Sequence, residues 1–381
     1  MSQTIQMYDP KREYFSQKEN IDNAINTVLN HGLFINGPEV KQLEASLKEY
    51  VGASDCICVS NGTDALKLAL LALDVTHGDE VITVAHSWIS TAEVIPLVGA
   101  KPVFIDIDPE TFNMDASKLE SAISSKTKAI IVVSLYGQIA DIDTINTIAA
   151  KYDIPVIEDG AQSFGATYNG KRSCSLTTIG TTSFFPSKPL GCYGDGGACF
   201  TNNPELGAKL RAIKNHGGIK RFHHKYIGLN ARLDTIQAAI LNVKLPYFNE
   251  TIKKRQECAN YYSEQLQFLT EKGLGFKLPT IKDKHTSVWA QYAILANNKE
   301  QRDSIVDYLK NNNVNAAIFY PAPLHKQECF QPWLKDSLEE VDSKLINTNY
   351  VCDRVFNLPC YGEFTRTEQD IVVNLLKDFL R

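Results

Sequence analysis

The sequence predicts an α/β fold with a mostly parallel central sheet and a smaller C-terminal α+β domain, on three observations. Between about Asp79 and Asp159, short β-branched runs alternate with amphipathic helical stretches. The runs are apolar along their length rather than alternating, as strands covered on both faces must be. The chain's 381 residues exceed what one small hydrophobic core serves, so a second unit is expected.

The elements follow in order. CICVSNGTDALKLALLAL reads as a strand, a glycine turn and a buried helix, with Gly62 and Thr63 at the helix N-terminus. EVITVA is a strand and WISTAEVIPLVG a helix. PVFIDIDP is a strand followed by helical SKLESAISS. KAIIVVSLYG, the helix IDTINTIAAKY and the strand IPVIEDGA complete the alternation. Right-handed crossovers turn such a series into an open sheet layered by helices. TTSFFPS and GACFTNN add two short strands around a glycine-rich loop, and ELGAKLRAIKNH returns to helix. A long helical stretch from Arg232 to about Leu266 contains Pro246, which must kink or split it. The domain boundary is placed there, giving a large domain 1–250 and a smaller one 251–381. In the second, SVWAQYAILA and NAAIFYP read as strands and EQRDSIVDYLKNN as a helix. Thr365 and Glu368 form a capping box before a final helix.

Composition narrows the class. The chain is 44% hydrophobic and 22% charged with a net charge of −5, which offers no electrostatic footprint for nucleic acid. Basic clusters such as Lys253-Lys254-Arg255 read as solvated helix faces. Nine cysteines without CxxC pairing read as buried thiols in a reducing, cytoplasmic setting. No apolar run of signal-peptide or membrane-spanning length is present, and His223-His224 has no spacing partner for a metal site.

The chemistry concentrates in SFFPSKPLGCYGDGG (Ser183 to Gly197) and EDGAQSFGA (Glu158 to Ala166). Pyridoxal phosphate (PLP) chemistry needs a lysine amine on one side of the cofactor and an acid against its pyridine nitrogen on the other. Lys188, flanked by Pro186 and Pro189 in a loop after a strand, is the candidate Schiff-base residue, although a lone lysine reads first as a surface group. Asp159 closes the strand IPVIE at the carboxyl edge, where α/β sheets hold ligands, and can pair with the pyridinium. Gln162 is a candidate for the cofactor's phenolic oxygen. Gly62 and Thr63 at a helix N-terminus, with the Ser183 hydroxyl, are candidates for its phosphate. Trp88 is a candidate to stack on the ring, or else core. Each reading is weak alone; together they are selective.

SNGTDAL, EDGAQSFGA, SFFPSKPLGCYGDGG and LNARLDTIQAA resemble, in order and spacing, the DegT/StrS-type nucleotide-sugar aminotransferases, and the likeness runs from Gly37 to Gln327. The resemblance implies the aspartate-aminotransferase-like fold (fold type I) and a homodimer with shared sites. It gives Lys188, Asp159, Gln162, Gly62, Thr63, Ser183 and Trp88 the roles above, and has Asn230 reaching the partner subunit's PLP phosphate. It also implies ping-pong transfer of an amino group from L-glutamate to a nucleotide-linked keto sugar, for glycan biosynthesis. PSK and LGCYGDGG are closer to members acting at C3, among them those using a UDP-linked 3-keto N-acetylhexuronate, than to C4 members with GNK and TTGEGG. Amination of a dTDP- or UDP-linked 4-keto-6-deoxy sugar is the alternative. Phe319-Tyr320-Pro321 aligns with a common His-Tyr-Pro run, which makes Phe319 and Tyr320 candidate substrate contacts. Phenylalanine removes a donor suited to a uronate carboxylate and leaves a 6-deoxyhexose open. Arg221 and His223, in GGIKRFHHKYIGLN, are candidates for the substrate diphosphate across the interface, with a solvated loop as the other reading.

Three rivals are disfavoured. Sugar 3-dehydrases of this scaffold replace the lysine by histidine, and Lys188 is present. A PLP-binding regulator would bring a DNA-binding segment, and none is evident. GCYGDGG fits neither a P-loop nor a dinucleotide fingerprint.

Overall fold

The computed structural model describes residues 4–271, 275–334 and 336–380. A seven-stranded sheet forms its centre, in the order Asp55–Val59, Gly197–Thr201, Ile179–Ser183, Val156–Asp159, Thr127–Val133, Glu80–Val84, Lys101–Ile105. Gly197–Thr201 runs antiparallel to both neighbours and the other pairings are parallel, the mostly parallel sheet that the apolar runs predict.

Successive strand residues enter different cores. Ile57, Val59, Val81, Ala129 and Ile131 pack with the helices Gly62–Ala72 and Pro204–Ile213 on one face. Cys56, Cys58, Ala198 and Phe200 on the other face meet the helices Pro38–Val51 and Thr235–Lys244. Ile82, Val84, Ile130 and Val132 join a cluster that includes helix Ile142–Ala150. Apolar residues on both faces of the strands are the consequence of this double coverage.

A separate core holds the antiparallel pair Tyr292–Leu295 and Val355–Leu358 with the helices Phe248–Leu266, Lys299–Asn311 and Arg366–Phe379. Ile5 belongs to this core and bridges to Val314. Pro246 sits in a 3-10 turn, Leu245–Tyr247, that separates the two halves of the long helical stretch. The capping box of Thr365 and Glu368 is formed. All nine cysteines are free, and only Cys329 is exposed. Among the described residues, no helix is long and apolar enough to cross a membrane.

Several expectations are corrected. NAAIFYP forms no strand; one bridge joins Ala317 to Asn357. There the Phe319 amide donates to the Asn357 side chain at 3.1 Å, and Pro321 has no N–H to extend a ladder. SKLESAISS is helical over 117–122, as a 3-10 turn and then a single α-turn at Leu119–Ala122, and it stops before Ser124, whose N–H donates to Thr127 Oγ1 at 2.9 Å. Helix Ser90–Leu97 begins after Trp88, not around it. Arg255 is buried, not solvated, and its guanidinium donates to the carbonyls of Trp289 and Cys360 at 3.1 and 2.8 Å. Helices at Pro10–Ser16, Lys18–His31, Leu338–Lys344 and Ile346–Arg354 were not among the expected elements.

Candidate functional site

The candidate residues gather where parallel strands end. Asp159 is the last residue of Val156–Asp159 and only 7% exposed. Its Oδ2 accepts from Thr91 Oγ1 at 2.7 Å and its Oδ1 from the Ala161 amide at 3.3 Å. Burial raises its pKa, opposed by the Thr91 hydrogen bond and then by the charge of Lys188. Ser87 Oγ lies 2.7 Å from Thr91 Oγ1. The single Thr91 proton goes to the carboxylate, so Ser87 donates to Thr91. Thr91 is a partner of Asp159 that sequence reasoning missed, since a threonine in the first turn of a buried helix carries no signal of its target.

Lys188 follows Ile179–Ser183 in the loop 184–196. Part of the residue stays accessible, yet burial around the amine pulls its pKa below the ordinary lysine value, opposed by Asp159. A desolvated amine is more readily neutral, hence nucleophilic. The loop is pinned from several sides. Cys192 N donates to Phe184 O at 2.8 Å, and Tyr193 N to Gln237 Oε1 at 2.9 Å. Lys244, ion-paired to Glu13 at 2.8 Å, donates to the Gly191 carbonyl. A side chain at 191 would place Cβ 2.6 Å from the Pro186 carbonyl, so only glycine lets the loop close on itself.

The helix Gly62–Ala72 begins beside this loop. Asn61 caps it by accepting from Asp64 N at 2.7 Å, which leaves the amides of Gly62 and Thr63 without a partner among the described residues. Thr63 Oγ1 is 2.7 Å from Ser90 Oγ, which donates to Glu93 at 3.0 Å. The Thr63 hydroxyl proton is therefore spent on Ser90, and its backbone N–H is the group left for an anion. A Cβ at Gly62 would sit 2.7 Å from Ser183 Cβ, a measure of how closely Ser183 adjoins the turn. The Asp64 carboxylate is held by Ser60 and Asn61.

Gln162 bridges two elements: Oε1 accepts from Tyr136 N at 3.0 Å, and Nε2 donates to Tyr320 Oη at 3.2 Å. Trp88 is 58% exposed with its ring 6.2 Å from that of Tyr320. Phe319 packs partly against the cluster of Ile82 and Val132. Lys188, Asp159, Gln162, Trp88 and Tyr320 thus share one neighbourhood, and Gly62, Thr63 and Ser183 another beside it.

Asn230, Arg221 and His223 are not brought to it within one chain. Asn230 is exposed, its backbone bridged to Asn215, and its side chain has no hydrogen-bond partner among the described residues. Arg221 and His223 lie on an exposed hairpin, Gly218–Lys220 with His223–His224, where the Arg221 guanidinium sits 5.0 Å from the centre of the Phe222 ring.

The donor set suits PLP. Two unpartnered amides and a hydroxyl make an anion cradle at a helix N-terminus, and a desolvated lysine stands in the field of a buried aspartate. The profile of the DegT/DnrJ/EryC1/StrS aminotransferase family matches residues 16–377. UDP-2-acetamido-2-deoxy-3-oxo-D-glucuronate aminotransferase of Pseudomonas aeruginosa is 53% identical over 85% of this chain and 88% of its own length. dTDP-3-amino-3,6-dideoxy-alpha-D-galactopyranose transaminase of Aneurinibacillus thermoaerophilus is 42% identical over 87% of this chain and 90% of its own. The crystal structure of NtdA from Bacillus subtilis with bound cofactor PMP superposes with a TM-score of 0.90 at 33% identity, covering 99% of this chain and 85% of that one. By profile, sequence and fold together, the chain belongs to the DegT/DnrJ/EryC1/StrS aminotransferase family.

Proposed function

We propose that this protein is a PLP-dependent aminotransferase that moves the amino group of L-glutamate onto C3 of a nucleotide-linked keto sugar. The observation that carries the reading is the pair of opposed, desolvated groups Lys188 and Asp159 beside the anion cradle of Gly62, Thr63 and Ser183. When bound, PLP supplies the electron sink that lets an amine's α-proton leave. The chain's own residues do the rest. Asp159, held by Thr91 and Ala161, would keep the ring nitrogen protonated. Gln162 would hold the phenolic oxygen, and Trp88 would cover the ring. Lys188 would form the covalent link and carry the proton between carbon atoms, work suited to an amine of lowered pKa.

The homodimer and the division into units 1–250 and 251–381 belong to the same proposal. Phe222, 86% exposed, and Ile227, 95% exposed, together with the exposed Leu33, Phe34, Ile35 and Ile219, supply the apolar surface a second copy would cover. Asn230, Arg221 and His223 would then complete the partner's site. C3 chemistry is supported by the names of the relatives above. Phe319 favours, as a second reading of the sugar, a 6-deoxyhexose on dTDP over a hexuronate on UDP, because it offers no donor to a carboxylate.

A coupled glutamate assay against UDP- and dTDP-linked 3-keto and 4-keto sugars tests the reading. Turnover of a 3-keto sugar to a 3-amino product, identified by mass and NMR, is expected. Amination confined to 4-keto sugars would overturn the C3 assignment, and no 2-oxoglutarate from any of them would overturn the reaction.

A further inference from the structure

A second hydrogen-bonded chain lies behind the candidate site and touches none of the groups assigned to the cofactor except Gln162. Cys352 Sγ, from helix Ile346–Arg354, is 3.3 Å from His86 Nδ1, and His86 Nε2 is 2.9 Å from Tyr136 Oη. The Tyr136 hydroxyl in turn donates to the Phe319 carbonyl. Proton counting leaves one arrangement. A carbonyl only accepts, so the single Tyr136 proton is spent on Phe319, and Tyr136 Oη must accept from His86 Nε2–H. With that tautomer, Nδ1 accepts from the Cys352 thiol. His86 is fully buried, and desolvation lowers its pKa to about 3, which keeps the ring neutral.

What this chain holds is the backbone ahead of Tyr320. The Phe319 carbonyl is taken by Tyr136 and its amide by Asn357, so both backbone polar groups of that residue are fixed by side chains. Tyr136 has a second grip through its own amide, which donates to Gln162 Oε1. It does so from φ +56°, a left-handed conformation that a bulky residue adopts only when its surroundings impose it. Gln162 then donates to Tyr320 Oη. The Tyr320 ring stands 6.0 Å from His86 and 6.2 Å from the exposed Trp88. Its hydroxyl oxygen is occupied by Gln162, while its proton has no acceptor among the described residues. The Tyr320 O–H is thus left to donate outward, whereas the unpartnered Asn357 Nδ2 of the same network is buried behind it.

We infer that His86 and Tyr136 are positioning residues for the sugar acceptor: they lock Phe319–Tyr320 so that the Tyr320 hydroxyl donates to a sugar oxygen beside Gln162. The inference rests on the reading of the site as one for a nucleotide-linked sugar. Because the hydroxyl is assigned to a sugar oxygen, the glutamate half-reaction is expected to depend on this lock far less.

The test uses the holoenzyme and two kinds of measurement. Tyr136→Phe removes only the hydroxyl. It is expected to raise KM for the keto sugar about 10-fold, the loss of one oriented hydrogen bond. The single-turnover rate with glutamate alone, followed by the cofactor's visible band, should stay within about twofold. Calorimetric titration with UDP-2-acetamido-2-deoxy-D-glucuronate and with a dTDP-linked 6-deoxyhexose, neither of which carries a keto group, gives Kd without turnover. Whichever binds the wild type should bind Tyr136→Phe about 10-fold more weakly. His86→Gln, which can still donate to Tyr136, should restore most of the affinity that His86→Leu loses. That pair decides the matter if Tyr136→Phe does not fold. Equal loss in the glutamate and sugar half-reactions, an unchanged Kd, or no difference between Gln and Leu at position 86 would overturn the inference, as would a wild type that binds neither sugar. Failure of the glutamate step in the wild type would instead strike the proposed reaction and leave the titrations to judge Tyr136.

Discussion

The loop 184–196 and the hairpin 218–224 each present basic side chains, and the contrast between them is instructive. The first is finished inside one chain. Lys244, Gln237 and the Phe184 carbonyl hold its backbone, and the Lys188 amine is enclosed in the field of Asp159. The second is left open, with Arg221 on an exposed Phe222 and His223 in solvent. A lysine's pKa falls where the fold removes its water, as the loop does for Lys188. The loop is held within one protomer, and the hairpin is the surface that the proposed second copy would cover.

Lys188→Ala attacks the first region at its centre. Turnover should fall by about three orders of magnitude or more, and the visible band of the covalently held cofactor should vanish with it. Retained turnover would refute the assignment of Lys188. Asp159→Asn keeps the shape and removes the charge, so both half-reactions should slow roughly 100-fold while some cofactor stays bound. Normal rates in rapid mixing would take Asp159 out of its role.

The second region is broken differently. If Asn230 serves the partner's site, Asn230→Ala and Lys188→Ala should be nearly inactive separately. Mixed and reassociated, they should regain roughly a quarter of wild-type activity, because half the dimers then hold one intact site of two. Mixtures no more active than the parents would place Asn230 in its own chain's site. The smallest effect concerns the outer brace of the first region. Arg12 pairs with Glu368 at 2.6 Å, next to the Glu13 that holds Lys244. That pairing, with the Thr365 hydroxyl and amide behind it, lowers the Glu368 pKa from 4.5 to about 2. A depressed carboxylate pKa contributes stability above its unfolded value and loses it as pH falls. Arg12→Ala should thus cost about 1 kcal/mol at neutral pH, and the gap from wild type should close between pH 4.5 and about 2 in thermal melts. A gap independent of pH would assign the loss to packing.

Much of the site was legible because its signals are local. A strand that ends in Asp159, a turn at Asn61-Gly62 before an apolar helix, and a lysine between prolines are all visible within a few residues. The same holds for the sheet, whose apolar runs and crossover helices announce themselves. Thr91, His86 and Cys352 were not legible, because each acts through a residue 50 to 266 positions away. NAAIFYP misled for a related reason. Its β-branched and aromatic content suits a strand, but Asn357 and Tyr136 claim the polar groups that a strand would have needed.

Alone, the order of residues determined the alternation of strand and helix, the carboxyl-edge placement of Asp159 and the helix start at Gly62, since backbone preference and hydrophobic period act over short distances. Tertiary structure alone decided which groups lost their water and which proton each hydroxyl kept. Desolvation and hydrogen-bond direction depend on neighbours that only folding brings together.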